Sequence, residues 1–339
     1  MGALFDVVAG GPGFVAVGEA GARENPIATV WSSPDGHAWS ASPLDTAPSS
    51  AVALTGGAPG LVAVGTAAGK AAIWTSSDGK AWAKVSAVPD PAGRLVDVAA
   101  AGPGFLAAGR SGNGHPAFWL SADGRSWVEI IPSTTLSGTV SAIQQAGSTI
   151  HAVVTEDGPP AQDFVNFPRQ VWTSTNGSRW TPVREGSLPP MSSVATVATG
   201  NDQIMILGLI FPLAGWPSTD GWSTLDGAWW YRAFVTSSAN GGATTGTSVG
   251  GKLVLAGTLV TTPCCGVPAL WTDTGAAGSG GKWVSQVVAF DGDPPGEFQI
   301  SSVAAAGTTI VAVGQVEFVT ADCTGCTREG VVVTSAHRP

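Results

Sequence analysis

An all-β chain, in which seven copies of a four-stranded antiparallel sheet close into a ring, is what this sequence predicts. Three observations carry that expectation. A Trp recurs at positions 31, 74, 119, 172, 222 and 271, at intervals of 43 to 53 residues. Each is preceded by two apolar runs rich in Gly, Ala and Val that flank a turn, and five are followed by a second turn built on Asp-Gly or Asn-Gly. Four short strands in a unit of ~40 to 50 residues, repeated along a chain, mark a β-propeller.

The paired runs come first in each unit. They read "DVVAGGPGFVAVG" from Asp6, "ALTGGAPGLVAVG" from Ala53 and "DVAAAGPGFLAAG" from Asp97. Four further copies follow, the last being "SVAAAGTTIVAVG" from Ser302, so seven blades are expected. Gly and Pro between the runs make a hairpin, since Pro presets one turn angle and Gly supplies the other. A variable loop leads to a third strand ending in Trp-x-Ser, and after the second turn another Trp opens the outer strand. Closing the blades into a ring buries both faces of every small sheet, which an open stack leaves exposed at its ends. The expected blades of this single domain are 1–48, 49–92, 93–137, 138–190, 191–240, 241–296 and 297–339. The seventh copy stops before an outer strand, so the last blade is expected to be incomplete. A strand from residues preceding Met1 is the expected completion, with Met1-Gly2 an artificial start.

Composition excludes several functions. Charged residues make up 12% of the chain and the net charge is −9 with 15 Lys and Arg. Binding to a phosphate backbone or to anionic lipid needs clustered positive charge, so neither nucleic acid nor a membrane surface is an expected partner. The longest apolar run, "IMILGLIFPLAGW" from Ile204 to Trp216, falls short of the ~20 residues of a membrane helix and contains Gly and Pro. The first residues lack the basic stretch and apolar block of a secretion signal. Four cysteines, Cys264, Cys265, Cys323 and Cys326, are the chain's only thiols. Their even number points to disulfides and an oxidising compartment. An extracellular or cell-surface monomer with its leader absent from this chain is therefore expected. The pairing of the four is open; a zinc site is the less favoured use, since adjacent cysteines rarely take two corners of a tetrahedron. No metal and no cofactor is expected.

The second turn carries a resemblance. Ser33, Asp35, Gly36 and Trp39 recur as Ser76, Asp78, Gly79 and Trp82, and as Ser121, Asp123, Gly124 and Trp127. Two more copies are Ser174, Asn176, Gly177 and Trp180, and Thr224, Asp226, Gly227 and Trp230. The pattern resembles the Asp-box, or BNR repeat, of sialidases, some xyloglucan-degrading enzymes, sorting receptors and photosystem assembly factors. The usual box has one more residue between Asp and Gly. The chemistry reads as structural: the Asp oxygen folds back onto N–H groups of its own turn and Gly takes a positive φ. Asp35, Asp78, Asp123, Asn176 and Asp226 are thus turn formers, and the box Trp plugs the gap between blades.

The resemblance also implies sialidase chemistry, which the residue types do not support. Such enzymes need a Tyr nucleophile activated by Glu, an arginine cluster and a Phe-Arg-Ile-Pro-like segment. Tyr231, the only tyrosine, follows the box Trp230, and no such segment occurs.

Antiparallel order puts the two kinds of turn on one face and the irregular loops on the other, where binding residues usually lie. In the Asp-box enzymes the active site likewise lies opposite the boxes. Ligand-binding candidates on the irregular face are Trp216, Phe164, Phe167, Arg169, Arg110 and His115. Phe164, Phe167 and Trp216 interrupt the repeat in its longest loops, where aromatics stack on ligands or anchor partners. A small core beneath those loops is an equally good use for them. The expected function is an exported, non-catalytic propeller that binds a protein or glycan through this face. The alternative is a glycoside hydrolase-like enzyme with paired carboxylates drawn from Asp157, Asp163, Asp220 and Glu24.

Overall fold

The computed structural model describes residues 2–102, 104–158, 169–183, 188, 193–200, 203–210, 218–224, 231–237, 242–262, 265–273, 283–288, 297–318 and 327–336. Its strands fall into seven antiparallel sheets. Blade 1 is β1 (Ala3–Gly10), β2 (Gly13–Ala20), β3 (Ile27–Ser33) and β4 (Ser40–Pro43). Blade 2 is β5 (Ser49–Gly57), β6 (Gly60–Ala67), β7 (Lys70–Ser76) and β8 (Ala83–Lys84). Blade 3 is β9 (Arg94–Ala101), β10 (Gly104–Arg110), β11 (Pro116–Ser121) and β12 (Val128–Ile130). Blade 4 is β13 (Gly138–Ala146), β14 (Thr149–Glu156), β15 (Arg169–Ser174) and β16 (Thr181–Pro182). Blade 5 is β17 (Ser193–Gly200), β18 (Gln203–Ile210), β19 (Ser218–Thr224) and β20 (Tyr231–Ser237). Blade 6 is β21 (Gly242–Val249), β22 (Lys252–Thr262), β23 (Cys265–Asp273) and β24 (Trp283–Val287). Blade 7 has three strands, β25 (Glu297–Ala306), β26 (Thr309–Phe318) and β27 (Thr327–Ala336).

The sheets pair in sequence order, and the first strand of each touches the first strands of both neighbours, β1 meeting β5 and β25. The first strands therefore wall the axis and the molecule is a closed seven-bladed β-propeller. Among the described residues no helix is long and apolar enough to cross a membrane.

Alternation along each strand sends side chains to the blades on either side. Val15, Val17 and Val30 of blade 1 meet Leu54, Leu61 and Trp74 of blade 2, while Phe14, Ala16 and Trp31 meet Val311 and Val313 of blade 7. Seven such apolar clusters occupy the seven blade-to-blade interfaces. In blades 1 to 4 the Trp after the second turn packs back on the preceding blade. Trp82 joins the blade 1–2 cluster, and Trp180 of blade 4 stacks on Phe118 of blade 3 with ring centroids 3.9 Å apart. The indoles are wedges between sheets, as their large apolar area favours.

Every first strand carries a β-bulge at one position. The pairing register shifts between Leu4 and Asp6 in β1, between Ala51 and Ala53 in β5, and likewise before Asp97, Ala142, Thr196, Thr245 and Ser302. A bulge sharpens local twist and re-aims the residue that follows. Here it turns that residue toward the next blade. Asp6 accepts from the Leu54 N–H at 2.7 Å, and Asp97 accepts from the Ile143 N–H at 2.8 Å.

Among the described residues, blade 7 and blade 1 meet side by side and share no strand. Ser302 Oγ donates to Asp6 Oδ1, and Thr334 Oγ1 donates to the Gly36 carbonyl at 2.8 Å. Gly36 has φ +85, and a Cβ there would stand 2.8 Å from Val311 Cγ2. Glycine is needed at this joint for both reasons.

Candidate functional site

The two faces differ as antiparallel order requires. Gly11 and Pro12, in the first turn of blade 1, lie against Asp78 and Gly79 in the second turn of blade 2, so both kinds of turn share one face. A cleft of about 530 Å³ on that face, lined by Gly10, Gly56, Gly57, Pro59 and Ser77, offers no titratable group. The second turns close on themselves. Asp35 Oδ1 accepts from the N–H groups of His37 (2.8 Å) and Ala38 (3.1 Å), and Ser33 Oγ accepts from the Gly36 N–H at 2.8 Å. Asp78 and Asp123 repeat the arrangement, and these N–H donors hold all three carboxyls below the usual range. Asn176 makes the same bonds through its amide oxygen, so the turn needs an oxygen and not a charge.

On the opposite face, residues 111–115 of blade 3 form a polar platform locked to both flanks. Within it the Ser111 N–H donates to the His115 carbonyl (2.9 Å) and the His115 N–H to Ser111 Oγ (3.1 Å). Toward blade 2, the Gly112 N–H donates to Asp90 Oδ2 at 2.6 Å. Toward blade 4, the Gly138 N–H donates to the Gly114 carbonyl at 3.1 Å, and His115 Nδ1 stands 2.9 Å from the Leu136 carbonyl. An acceptor there assigns the ring proton to Nδ1, which leaves Nε2 an acceptor in the neutral ring. At the platform edge Arg110 Nη1 meets Asp157 Oδ2 at 2.6 Å, with side chains 33% and 46% exposed. Beside it Glu156 accepts from Gln170 Nε2 (2.6 Å), whose Oε1 accepts from Trp172 Nε1 (2.8 Å). The surface thus offers a fixed guanidinium, an imidazole and two carboxylates to a polar ligand.

The structure sorts the remaining candidates. Glu24 is exposed in the loop between β2 and β3 of blade 1. Arg169 and Asp220 read as loop residues in the sequence, yet both are strand residues, 5% and 1% exposed. The ladders run further than the Pro- and Gly-rich loops suggest, pairing Arg169 with Thr155 and Asp220 with Gly208. Burial brings the Arg169 guanidinium down to about 10. Cys265 opens β23 opposite Thr262. Asp163, Phe164, Phe167, Trp216, Asp226, Cys264, Cys323 and Cys326 lie outside the described residues.

Two carboxyls that sequence reasoning passed over stand in the ring wall. Asp6 is raised to about 6 by burial, against the pull of its bonds from Ser302, Leu54 and Val7. Asp97 is raised to about 7, by burial first and then by repulsion from Asp6. The signal was legible: each is the one acid in its first strand, set among apolar residues between Leu4 and Val7 or Leu95 and Val98.

Fold and surface together define a seven-bladed propeller with one face of uniform turns and another that carries a polar platform. Among solved structures the chain is similar to Trypanosoma rangeli sialidase, with 11% identity over 98% of this chain and 55% of that one, at a TM-score of 0.54. It spans about half the length of that sialidase. It is also similar to Sqt1 from Chaetomium thermophilum, with 12% identity over 99% of this chain and 97% of that one, at a TM-score of 0.54. The same protein bound to the N-terminus of ribosomal protein L10 gives 11% identity, 93% and 84% coverage and a TM-score of 0.52. At such identities the likeness establishes the fold alone. No family model matches the sequence, and no curated protein matches it.

Proposed function

We propose that this chain is an exported, non-catalytic propeller that binds a protein segment or a glycan through its loop face. The platform at residues 111–115 carries the reading. Hydrogen bonds to both neighbouring blades fix its backbone, so Arg110 and His115 are presented with little ordering cost left for a ligand to meet. Two kinds of neighbour support the partner class: Sqt1, solved with a ribosomal protein N-terminus, and the trypanosomal sialidase, solved with the inhibitor DANA.

The arrangement of carboxylates weighs against a hydrolase, which needs two of them ~5 to 9.5 Å apart around the scissile bond. Of the candidates among the described residues, Asp157 is bound to Arg110, Asp220 is buried inside β19, and Glu24 lies in the loop between β2 and β3 of blade 1. The turn hydrogen bonds support assigning the second turns to the Asp-box class, one residue shorter than usual. The four cysteines and the weakly charged surface support export.

A glycan array and a displayed-peptide selection, each run with the parent and with Arg110→Ala, test the reading. A ligand held by the parent and weakened at least tenfold in the variant is expected. Ligands that ignore the substitution would overturn the site, and turnover of a glycoside by the parent would overturn the non-catalytic assignment.

A further inference from the structure

Two neighbouring blades share one framework yet carry opposite charges at the same point of their rims. On β8 of blade 2, Lys84 reaches Asp45 in the connection that enters the blade, at 2.7 Å. On β12 of blade 3 the matching residue is Glu129, and the matching partner is Asp90. Lys84 stands opposite Trp74 and Glu129 opposite Trp119, each on the outer strand. Asp45 Oδ1 accepts from the N–H groups of Thr46 and Ala47, as Asp90 Oδ1 does from those of Ala92 and Gly93. Where blade 2 joins an ammonium to a carboxylate, blade 3 therefore brings two carboxyls together. Glu129 Oε1 is sealed from solvent with no donor. The buried indole N–H of Trp119 also lacks a partner, but so does that of Trp74 beside the completed ion pair, so the indole marks no ligand.

Asp90 has a second task. Its Oδ2 accepts from the Gly112 N–H and so seats the loop-face platform on blade 2.

We propose that Glu129 and Asp90 form a proton-operated latch beneath the 111–115 platform, with a shared proton standing where the Lys84 ammonium stands in the blade before. This regulation rests on the platform being the binding surface. With the proton in place, Glu129 donates to Asp90 and the rim of blades 2 and 3 is joined as the rim of blades 1 and 2 is. Without it, two adjacent negative charges repel, Glu129 swings outward, and the seat of Gly112 loosens. Burial and then repulsion from Asp90 raise Glu129 from its ordinary value of 4.5, the direction this arrangement requires. The latch is therefore closed below that value and opens as pH rises through the raised one. Among the described residues, Asp90 is the charged group that acts on Glu129.

Amide hydrogen exchange of the ligand-free protein, corrected for intrinsic rates, tests the proposal at pH 4.5 and pH 8. Protection of segments 90–93 and 111–115 is expected to fall at least tenfold at the higher pH. In Glu129→Lys, which rebuilds the blade 2 ion pair, protection should stay high at both. Equal protection of the parent at the two values, or a pH dependence that survives in Glu129→Lys, would overturn the latch. Glu129→Gln serves as a second variant and should also flatten the response. No ligand takes part, so a latch that behaves as expected beside a platform that binds nothing would refute the binding function alone.

Discussion

Ser302 Oγ donates to Asp6 Oδ1 at 2.6 Å, joining the first strands of the last and first blades across 296 residues of chain. The same hydroxyl lies 3.3 Å from the Val7 N–H, and the other oxygen of Asp6 holds the Leu54 N–H of blade 2. One carboxyl thereby spans three blades at the place where the ring closes. Ser302→Ala is expected to lower stability by about 1.5 to 3 kcal/mol at pH 8, as for a lost bond to a charged acceptor. At pH 4.5, with Asp6 protonated, the loss should be smaller. Urea unfolding at the two values measures both, and equal losses would contradict the assignment.

Stability should depend on pH with an unusual sign. The folded protein holds Asp6 at about 6 and Asp97 at about 7, above the ordinary 3.8. Between those values the folded state binds more protons than the unfolded chain, so stability falls as pH rises through them. The exposed turn carboxyls Asp35, Asp78 and Asp123 act oppositely, since theirs are lowered and their contribution is lost as pH falls below the ordinary value. The urea midpoint is therefore expected to peak between about pH 4 and 6. Asp97→Asn should flatten the decline above the peak, because an amide oxygen still accepts from Ile143 and has no charge to bury.

The second turns of blades 1 to 4 contain their own control experiment. Asn176 performs in blade 4 the bonding that Asp78 performs in blade 2. Asp78→Asn should leave the unfolding midpoint near the parent's at pH 7. Asp78→Ala, which strands the Lys80 and Ala81 N–H groups, should lower it. A drop in both would show that the charge, and not the oxygen, holds the turn.

Arg110→Ala should separate binding from folding. Its pair with Asp157 is part exposed, and such pairs contribute about 0 to 1 kcal/mol to stability. Loss of a tenfold in affinity, about 1.4 kcal/mol, with an almost unchanged unfolding midpoint is the expected outcome. Titration calorimetry with a ligand from the array or the peptide selection reads the first quantity and urea unfolding the second.

Much of this molecule is written locally. Blade number, the ends of the first two strands, the two kinds of turn and the wedge position of the second Trp follow from turn residues and alternation within a dozen positions, and these repeat. The candidate surface was legible in part: Arg110, His115 and Asp157 are loop or loop-edge residues by position. That Arg110 meets Asp157, or that Gly112 sits on Asp90, could not be read, because each contact joins blades whose relative rotation no local pattern encodes. Arg169 and Asp220 were misplaced for a related reason, since a ladder ends where its partner strand ends and not where its own sequence turns irregular.

The sequence by itself determined how many sheets form and which turns bound them, since those choices depend on neighbours a few bonds away. Tertiary structure alone decided what the charges in those sheets do. A bulge aims Asp6 at blade 2, and ring closure brings it Ser302. The stagger of two rims gives Lys84 a carboxylate to pair with, while the matching Glu129 meets a second acid. These outcomes depend on distances between blades, which are fixed when the seven interfaces pack together.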